Sequence, residues 1–229
     1  MAGDSGSLKG IAERALEYVK EGEVLGLGTG RASVAFVRAL GERVRAGLRV
    51  QGVPTSESTA KLARELGIPL LRLDEVDEIA TTFDGADEVD PNLDLIKGYG
   101  GALVREKIVA ASSRRRVMLV GAEKLVEALG AHGKLPIEVV QFGLPLCRRR
   151  LAALGLRPEL READGRPFVT DNGNFILDCG LEPIRDAAAL ESAALAIPGV
   201  VGTGLFLGMA DVVLIQDDSG VSVRERAPR

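Results

Sequence analysis

The 229-residue sequence is poor in aromatic, histidine and cysteine residues, and each shortage excludes a class of protein. Aromatic residues make up 3% of the chain and tryptophan is absent, so we expect a core of aliphatic side chains. The one histidine, His132, argues against a histidine-based catalytic triad and against a His-rich transition-metal site. The two cysteines, Cys147 and Cys179, lie far apart without a CxxC neighbour, which predicts reduced core thiols rather than a disulfide or zinc framework.

The charge and hydropathy patterns predict a soluble protein without nucleic-acid or membrane partners. The formal net charge is −4, and the arginine triplets at 114–116 and 148–150 are not interleaved with aromatic residues for base stacking. Residues 193–210 contain no charge, but Pro198 and several glycines interrupt the run, so a turn between a helix and a buried strand explains it better than a membrane span. The first ten residues contain no apolar stretch, and we therefore predict no signal peptide.

Short apolar runs alternate with segments of helical spacing along the first half of the chain. The apolar runs that predict strands are residues 24–27, 50–53, 69–73, 79–83 and 117–120. Alternating short strands and helices predict a parallel sheet with helices on both of its faces.

The pattern changes after about residue 130. A strand, a helix, two strands, a helix and a last strand at 200–207 follow, and this order predicts a small β-α-β-β-α-β unit. Residues 210–226, with Ser219-Gly220 as the turn, predict a closing hairpin.

Four polar segments follow predicted strands or turns, and they are Gly26 to Gly30, Thr55 to Thr59, Asp84 to Asp87, and Lys97 to Gly101. In open parallel sheets, ligands bind beyond the carboxyl ends of the strands, so the four segments together predict a ligand site. The first segment allows the backbone to approach an anion closely, and amides at the start of the next helix can bind that anion. Arg31 stands where the dinucleotide fingerprint requires glycine, and no P-loop lysine follows.

A second candidate is acidic. Asp84 and Asp87 follow the predicted strand at 79–83, and Glu88 and Asp90 come shortly after them. These carboxylates are compatible with a divalent metal site, and also with a solvated turn or a helix cap. Their order does not match an EF-hand loop, which needs a glycine after three spaced oxygen ligands and a glutamate at its end.

A third candidate is Glu106, which stands between Arg105 and Lys107 in a segment of helical spacing. A helical glutamate with basic neighbours is commonly a solvated ion pair. Glu106 lies three residues after Leu103 and four before Ala110, however, so it also shares a partly apolar face with them. A carboxylate in that position is expected to have the raised pKa of a general base.

Taken together, these segments closely resemble the type A ribose-5-phosphate isomerases, in one order over nearly the whole chain. The resemblance rests on Gly26 to Gly30, Pro54-Thr55-Ser56, the DGADE element at 84–88 and the KGYGGALVREK element at 97–107. Weaker matches lie at 135–139, 170–174 and 197–201. The DGADE and KGxGGALxREK elements are highly specific.

The resemblance implies an isomerase that moves one proton between adjacent carbons of an open-chain sugar through an enediolate, with no metal and no organic cofactor. Glu106 would be the general base that takes the proton from C2 and returns it to C1. Asp84, Asp87 and Lys97 would bind the sugar, assist ring opening and handle protons at O1 and O2. A lysine beside an enediolate supplies the preorganised positive charge that such an intermediate requires.

The resemblance also implies a set of substrate-binding residues, namely Thr29, Gly30, Arg31, Ala32, Gly85, Ala86, Gly98, Tyr99, Gly100 and Lys124. The sequence departs from the family pattern twice. The family commonly has two hydroxyl residues where this chain has Arg31-Ala32, with Ser33 one place later, and it often has glycine at Tyr99. Either Arg31 binds the phosphate through paired hydrogen bonds, or it faces solvent while Ser33 or backbone amides bind the phosphate.

The fold implied is a Rossmann-like α/β domain of residues 1–130 plus 208–229, with a smaller α+β domain of ferredoxin-like type inserted at 131–207. The family usually forms homo-oligomers, dimers or tetramers, acting in the cytoplasm in the non-oxidative pentose phosphate pathway. One alternative is a sugar-phosphate-binding regulator, which would ordinarily lack Glu106 and usually carries a DNA-binding helical domain. Another is a different phosphosugar enzyme of similar fold, such as an amino-sugar phosphate deaminase or an isomerase of another pentose phosphate, which only assay separates.

Overall fold

The computed structural model describes residues 4–227. Residues 1–3, which begin the segment inspected for a signal peptide, lie outside that description, as do residues 228–229. The chain divides into two compact units. The first consists of residues up to Ala86, Arg105–Lys124 and residues from Met209 onward; the second consists of Asp87–Val104 and Leu125–Gly208.

The helices and strands follow the predicted alternation. The helices are α1 Asp4–Leu16, α2 Arg31–Arg45, α3 Glu57–Glu65, α4 Leu103–Ala111, α5 Leu144–Ala153 and α6 Ala187–Leu195. The strands are β1 Val24–Leu27, β2 Gln51–Pro54, β3 Ile79–Gly85, β4 Glu88–Val89, β5 Leu95–Ile96, β6 Ser113–Gly121, β7 Lys134–Val139, β8 Arg157–Leu160, β9 Glu162–Ala163, β10 Arg166–Pro167, β11 Phe175–Gly180, β12 Val200–Thr203, β13 Leu205–Phe206, β14 Val212–Asp217 and β15 Gly220–Glu225.

A six-stranded sheet forms the centre of the first unit. Its order is β15-β14-β6-β3-β1-β2, and each neighbouring pair is parallel except the hairpin of β14 and β15. This arrangement confirms the α/β fold class and the predicted hairpin. The core of this unit is mainly aliphatic, as the composition predicts, and it includes a stacked pair, Phe36 and Phe83, whose ring centroids are 4.2 Å apart.

The second unit contains an antiparallel sheet with the order β12-β7-β11-β8. Helix α5 connects β7 to β8 and helix α6 connects β11 to β12, so the predicted β-α-β-β-α-β order is confirmed, with the short hairpin of β9 and β10 between β8 and β11. Cys147 and Cys179 are buried free thiols in this unit. Burial raises the pKa of the Cys179 thiol to about 12, which keeps it protonated and unreactive at neutral pH.

Two of the predicted strands are wrong in detail. Residues 69–73 form only an isolated bridge between Leu70 and Gly52, because Pro69 has no N–H to donate and a 3₁₀ turn begins at Leu73. The strand predicted over 200–207 is interrupted at Gly204, and its two halves, β12 and β13, belong to different sheets. A Cβ at Gly204 would lie 2.4 Å from the Lys97 carbonyl oxygen, so the interruption requires glycine.

The compact units divide the chain at different places from the predicted domains. Residues 87–104, 125–130 and 208 belong to the second unit rather than the first. The reason is local pairing: β4 and β5 form a small sheet with β13, and the Val126 amide donates to the Val89 carbonyl. Among residues 4–227 we find no helix both long and apolar enough to span a bilayer.

Candidate active site

Asp84 lies at the carboxyl end of β3 and is 3% exposed. Its Oδ1 atom accepts hydrogen bonds from the Thr29 amide at 3.1 Å, the Ser33 hydroxyl at 3.1 Å and the Gly85 amide at 2.8 Å. A carboxylate oxygen that accepts several such bonds is fixed in orientation. Thus the structure brings together three predicted site residues, Thr29, Asp84 and Gly85.

The glycine turn after β1 packs directly against this carboxylate. The Gly28 amide donates to the Phe83 carbonyl at 2.9 Å. A Cβ at Gly28 would lie 2.2 Å from Asp84 Oδ1 and 2.6 Å from the Phe83 oxygen, so a larger residue does not fit. Gly30, with φ of 116°, is exposed and immediately precedes α2. The middle glycine therefore permits close approach to Asp84, and the last glycine leaves the start of α2 open to solvent.

Four hydroxyl groups cluster beside the same turn. Thr29 Oγ1 lies 2.8 Å from Thr55 Oγ1, 2.8 Å from Ser56 Oγ and 3.3 Å from Thr59 Oγ1. Thr59 also donates to the Gly28 carbonyl at 2.9 Å. Residues 55–59 form one of the four polar segments of the sequence, but neither their spacing nor the family resemblance predicts a role for them. The signal that could have found them is the succession of hydroxyl residues directly after β2.

The two residues that depart from the family pattern occupy the first turn of α2. Arg31 is the first residue of the helix and is exposed, and Ala32 is half-buried. Ser33, one of the two alternatives for binding phosphate, is fully buried, and its hydroxyl donates to Asp84. The Ser33 hydroxyl is therefore bonded to the Asp84 carboxylate in this structure.

In the second unit, Asp87 and the lysine-glycine turn are joined through the backbone. Asp87 Oδ2 accepts the Tyr99 amide at 2.9 Å, and the Asp87 amide donates to the Ile96 carbonyl at 2.8 Å. Lys97 is buried, its amide donates to the Gly204 carbonyl at 2.9 Å, and its ammonium lies 5.5 Å from the centroid of the Phe206 ring. A cation over an aromatic face is held electrostatically, which limits where this ammonium can move.

The Tyr99 ring packs into the core of the second unit, which explains its departure from glycine. Its hydroxyl donates to the Lys134 carbonyl at 3.2 Å, and the Lys134 ammonium lies 4.1 Å from the ring centroid. Burial, assisted by the carboxylates of Glu88 and Asp87, raises the pKa of the Tyr99 hydroxyl. Since Tyr99 meets Asp87 through its amide, which every residue except proline has, the side chain is free to differ from the family pattern.

Glu106 lies in the first turns of α4 and is 4% exposed. Leu103 and Ala110 are buried on the same helix, so the predicted apolar face is confirmed and the interpretation as a solvated ion pair is wrong. The basic neighbour Arg105 instead pairs with the exposed Glu57 at 3.0 Å. Lys124, the last of the predicted residues, ends a 3₁₀ turn after β6 and is half-buried.

The other acidic candidates have structural partners. Glu88 is fully buried and accepts the amides of Gly130 at 2.6 Å and His132 at 2.8 Å. Asp90 accepts the Asp94 amide at 2.8 Å within its own loop. Over residues 4–227, we find no group of three or more His, Cys, Asp or Glu side chains placed to hold a metal ion.

The division between the units falls inside both specific motifs. It runs between Ala86 and Asp87 and again between Val104 and Arg105. Each motif therefore supplies residues to both units: Asp84 and Glu106 belong to the first, and Asp87, Lys97 and the Gly98-Tyr99-Gly100 turn belong to the second.

Comparisons with known proteins agree with these motifs. The family model described as ribose 5-phosphate isomerase A (phosphoriboisomerase A) matches residues 51–220. A ribose-5-phosphate isomerase A of Roseiflexus castenholzii is 56% identical over 213 residues, covering 92% of this chain and 91% of that protein. The chain therefore belongs to the ribose 5-phosphate isomerase A family.

Solved structures agree at the level of the fold. Ribose 5-phosphate isomerase A from Methanocaldococcus jannaschii superposes with a TM-score of 0.92 at 39% identity, covering 97% of this chain and 99% of that one. A D-ribose-5-phosphate isomerase in complex with phospho-erythronic acid superposes with a TM-score of 0.93 at 39% identity, covering 96% and 98%.

Proposed function

We propose that this protein interconverts D-ribose 5-phosphate and D-ribulose 5-phosphate through an enediolate. The observation that supports this most directly is a buried glutamate, Glu106, in a chain that belongs to the ribose 5-phosphate isomerase A family. Aldose–ketose isomerisation requires a base that removes one proton from a carbon and delivers it to the neighbouring carbon. A carboxylate shielded from water can keep that proton between the two steps.

The base in this proposal is Glu106, which takes the C2 proton of the open-chain aldose and returns it to C1. Turnover in D₂O tests this step, because deuterium that enters the product must be bonded to the carbon that received the proton. Deuterium at C1 of ribulose 5-phosphate supports an enediolate. Complete transfer of the C2 hydrogen to C1 with no deuterium in the product, together with turnover that survives Glu106→Gln, would indicate a hydride shift and contradict it.

Asp84 and Asp87 are proposed to bind sugar hydroxyls, assist ring opening and handle protons at O1 and O2. The three donors on Asp84 Oδ1 support this role, because a carboxylate whose position is already fixed loses little entropy when it binds a hydroxyl. Lys97 is proposed to stabilise the enediolate charge. Its burial supports that role, since a positive charge in a water-excluded environment acts more strongly on a developing anion.

The 5-phosphate is proposed to bind at the start of α2, through Thr29, Gly30, Arg31 and Ala32, with Lys124 as a further cation. The exposed helix start supports this, because its first amides have no partner within the helix and favour an anion. Gly85, Ala86, Gly98, Tyr99 and Gly100 are proposed to contact the sugar through their backbone.

The substrate is tested by measuring kcat/KM over a panel of pentose and hexose aldose phosphates that includes an amino-sugar phosphate. We expect ribose 5-phosphate to have the highest value. A higher value for an amino-sugar phosphate, with release of ammonia, would favour the deaminase alternative instead.

We further propose that the enzyme acts in the cytoplasm, in the non-oxidative pentose phosphate pathway, as a dimer or tetramer of identical chains. The family resemblance supports each of these properties. Light scattering on the purified protein measures the oligomer, and a monomeric mass at enzyme concentrations used in the assay would contradict it.

A further inference from the structure

Arg161, which belongs to none of the sequence motifs, contacts the lysine-glycine turn of the second unit. Its Nη1 atom donates to the Gly98 carbonyl at 3.0 Å and to the Tyr99 carbonyl at 3.1 Å. Its Nε and Nη2 atoms donate to Asp178 at 2.9 and 2.5 Å. The side chain is 11% exposed, so these bonds are largely shielded from water.

The two carbonyl contacts determine where the next amides point. In a trans peptide the C=O and the following N–H point in opposite directions. Because Arg161 binds the Gly98 carbonyl, the Tyr99 amide points away from it, and that amide is the donor to Asp87 at 2.9 Å. By the same geometry, the Gly100 amide also points away from Arg161. Two successive amides on one side of a turn form a concave arrangement that binds negatively charged oxygens.

Other contacts hold the same turn in place. Gly98 has φ of 105°, a conformation that glycine adopts without strain. Phe168 packs against Gly101 so closely that a Cβ there would lie 2.5 Å from the ring. The Phe168 amide donates to the Arg161 carbonyl at 2.9 Å, and its ring centroid lies 5.9 Å from the Arg161 guanidinium carbon. Arg161 and Phe168 therefore both contact this turn and restrict its conformation.

We propose that Arg161, anchored by Asp178, is a positioning residue for the isomerase reaction. It orients the peptides of the Gly98-Tyr99-Gly100 turn, so that the Tyr99 amide fixes Asp87 and the Gly100 amide faces an oxygen of the substrate. The inference rests on the proposed function, because it assumes that Asp87 and this turn bind the sugar. Arginine suits the role because its planar fork can bond a carboxylate through two nitrogens and still donate to carbonyls, which a lysine ammonium cannot reproduce.

The experiment compares Arg161→Lys, Arg161→Ala and Asp178→Asn with the unchanged enzyme, measuring kcat, KM and thermal unfolding. We expect kcat to fall by about 10- to 100-fold, since small misplacement of reacting groups has effects of this order, while KM changes by less than about threefold. Arg161→Lys should restore little of the activity lost in Arg161→Ala, although it restores the charge.

The matched control is another bidentate and partly buried Arg–Asp pair, Arg116 and Asp211 in the first unit, with both contacts at 2.7 Å. Arg116→Lys and Asp211→Asn should lower the unfolding temperature as much as the Arg161 variants do but leave kcat within about twofold, because general destabilisation alone does not change the folded enzyme's chemistry. A matching kcat loss in these controls would overturn the positioning role.

A double-mutant cycle with Asp87→Asn separates the inference from the proposed function. If Arg161 acts through Asp87, Arg161→Lys should reduce kcat less in the Asp87→Asn background than in the unchanged enzyme. A folded Arg161→Lys enzyme with normal kcat, alongside an impaired Asp87→Asn enzyme, would overturn the inference and leave the proposed function intact. A fully active Asp87→Asn enzyme would instead overturn the proposed site. Should the Arg161 variants fail to fold, Asp178→Asn, which keeps the side-chain volume, decides between the same outcomes.

Discussion

Asp84 and Asp87 stand three residues apart in one motif, yet the structure holds them in different ways. In the first unit, one oxygen of Asp84 accepts three hydrogen bonds. The donors are the Thr29 amide, the Gly85 amide and the Ser33 hydroxyl. Asp87 accepts a hydrogen bond from the Tyr99 amide of the lysine-glycine turn. Arg161 in turn donates to the Gly98 carbonyl of that turn.

The difference determines which substitutions each region tolerates. Around Asp84, the identity of a side chain matters, because only a short hydroxyl at position 33 can donate to Oδ1 from that place on α2. Around Asp87, the donor is an amide that nearly any residue supplies, so Tyr99 can replace glycine and use its ring in the core. The residue whose side chain is required in this region is instead Arg161, which lies outside the turn and binds its carbonyls.

Both aspartates are proposed to assist one base, Glu106, and the largest predicted effect tests that base. Glu106→Gln should reduce kcat by about 100- to 10,000-fold, because an amide cannot accept the proton. Binding of ribose 5-phosphate and the thermal unfolding temperature should be nearly unchanged. Glu57→Gln, an exposed glutamate of the first unit, is the control and should retain full activity. Near-normal turnover in Glu106→Gln would contradict the proposal that Glu106 is the base.

The aspartates themselves should produce the next largest effect. Asp84→Asn and Asp87→Asn should each lower kcat by at least about tenfold and raise KM less, because groups that assist ring opening or relay a proton act mainly on the transition state. Asparagine can still accept the bonds that position each side chain, so both variants should fold. Effects confined to KM would show that both residues bind sugar hydroxyls but do not handle protons.

Arg31 tests the part of the first unit where the chain departs from its family. If its guanidinium binds the 5-phosphate, Arg31→Ala should weaken substrate binding by about 1.5–3 kcal/mol, the range for hydrogen bonds to charged groups. The loss should be seen mostly in KM, because the phosphate does not react. Arg38→Ala, an exposed arginine on the same helix, is the control. An unchanged KM would place Arg31 among the solvated surface residues and leave the phosphate to Ser33 or the backbone amides.

A smaller effect should distinguish the two ways of holding an aspartate. Ser33→Ala removes a donor to Asp84 and should lower kcat by about fivefold, which corresponds to about 1 kcal/mol for one hydrogen bond. Tyr99→Phe removes only the hydroxyl bond to Lys134 and keeps the amide on Asp87, so kcat should stay within about twofold. The reverse order of effects would contradict the assignment of a side-chain donor to Asp84 and a backbone donor to Asp87.

Chelation should have no effect. Both aspartates are proposed to act on the sugar directly, and the neighbouring Glu88 is already bonded to two backbone amides. Prolonged incubation with EDTA should therefore leave kcat unchanged. Loss of turnover on chelation, followed by recovery on adding Mg²⁺ or Mn²⁺, would instead favour a metal at the acidic segment.

Elements whose causes are local could be predicted from the sequence. The bounds of β1 and most of β3 follow from short apolar runs, and the β-α-β-β-α-β order of the second unit follows from its periodicity. Glu106 could be placed on an apolar helix face because its spacing from Leu103 and Ala110 is a local property. The specific motifs could be matched to a family because their residues are close together in the chain.

Contacts between distant residues were decided only by the tertiary structure. Arg161 lies 63 residues from Gly98, and no spacing rule connects an arginine between two short strands to a glycine turn so far away. The hydroxyls at 55–59 have no evident role until β2 pairs with β1 and brings them to Thr29. Ser33 could equally have faced an anion, because only the approach of β3 places Asp84 within reach of its hydroxyl. Local patterning thus determines which elements form, whereas hydrogen bonds between elements depend on how the strands align beside one another.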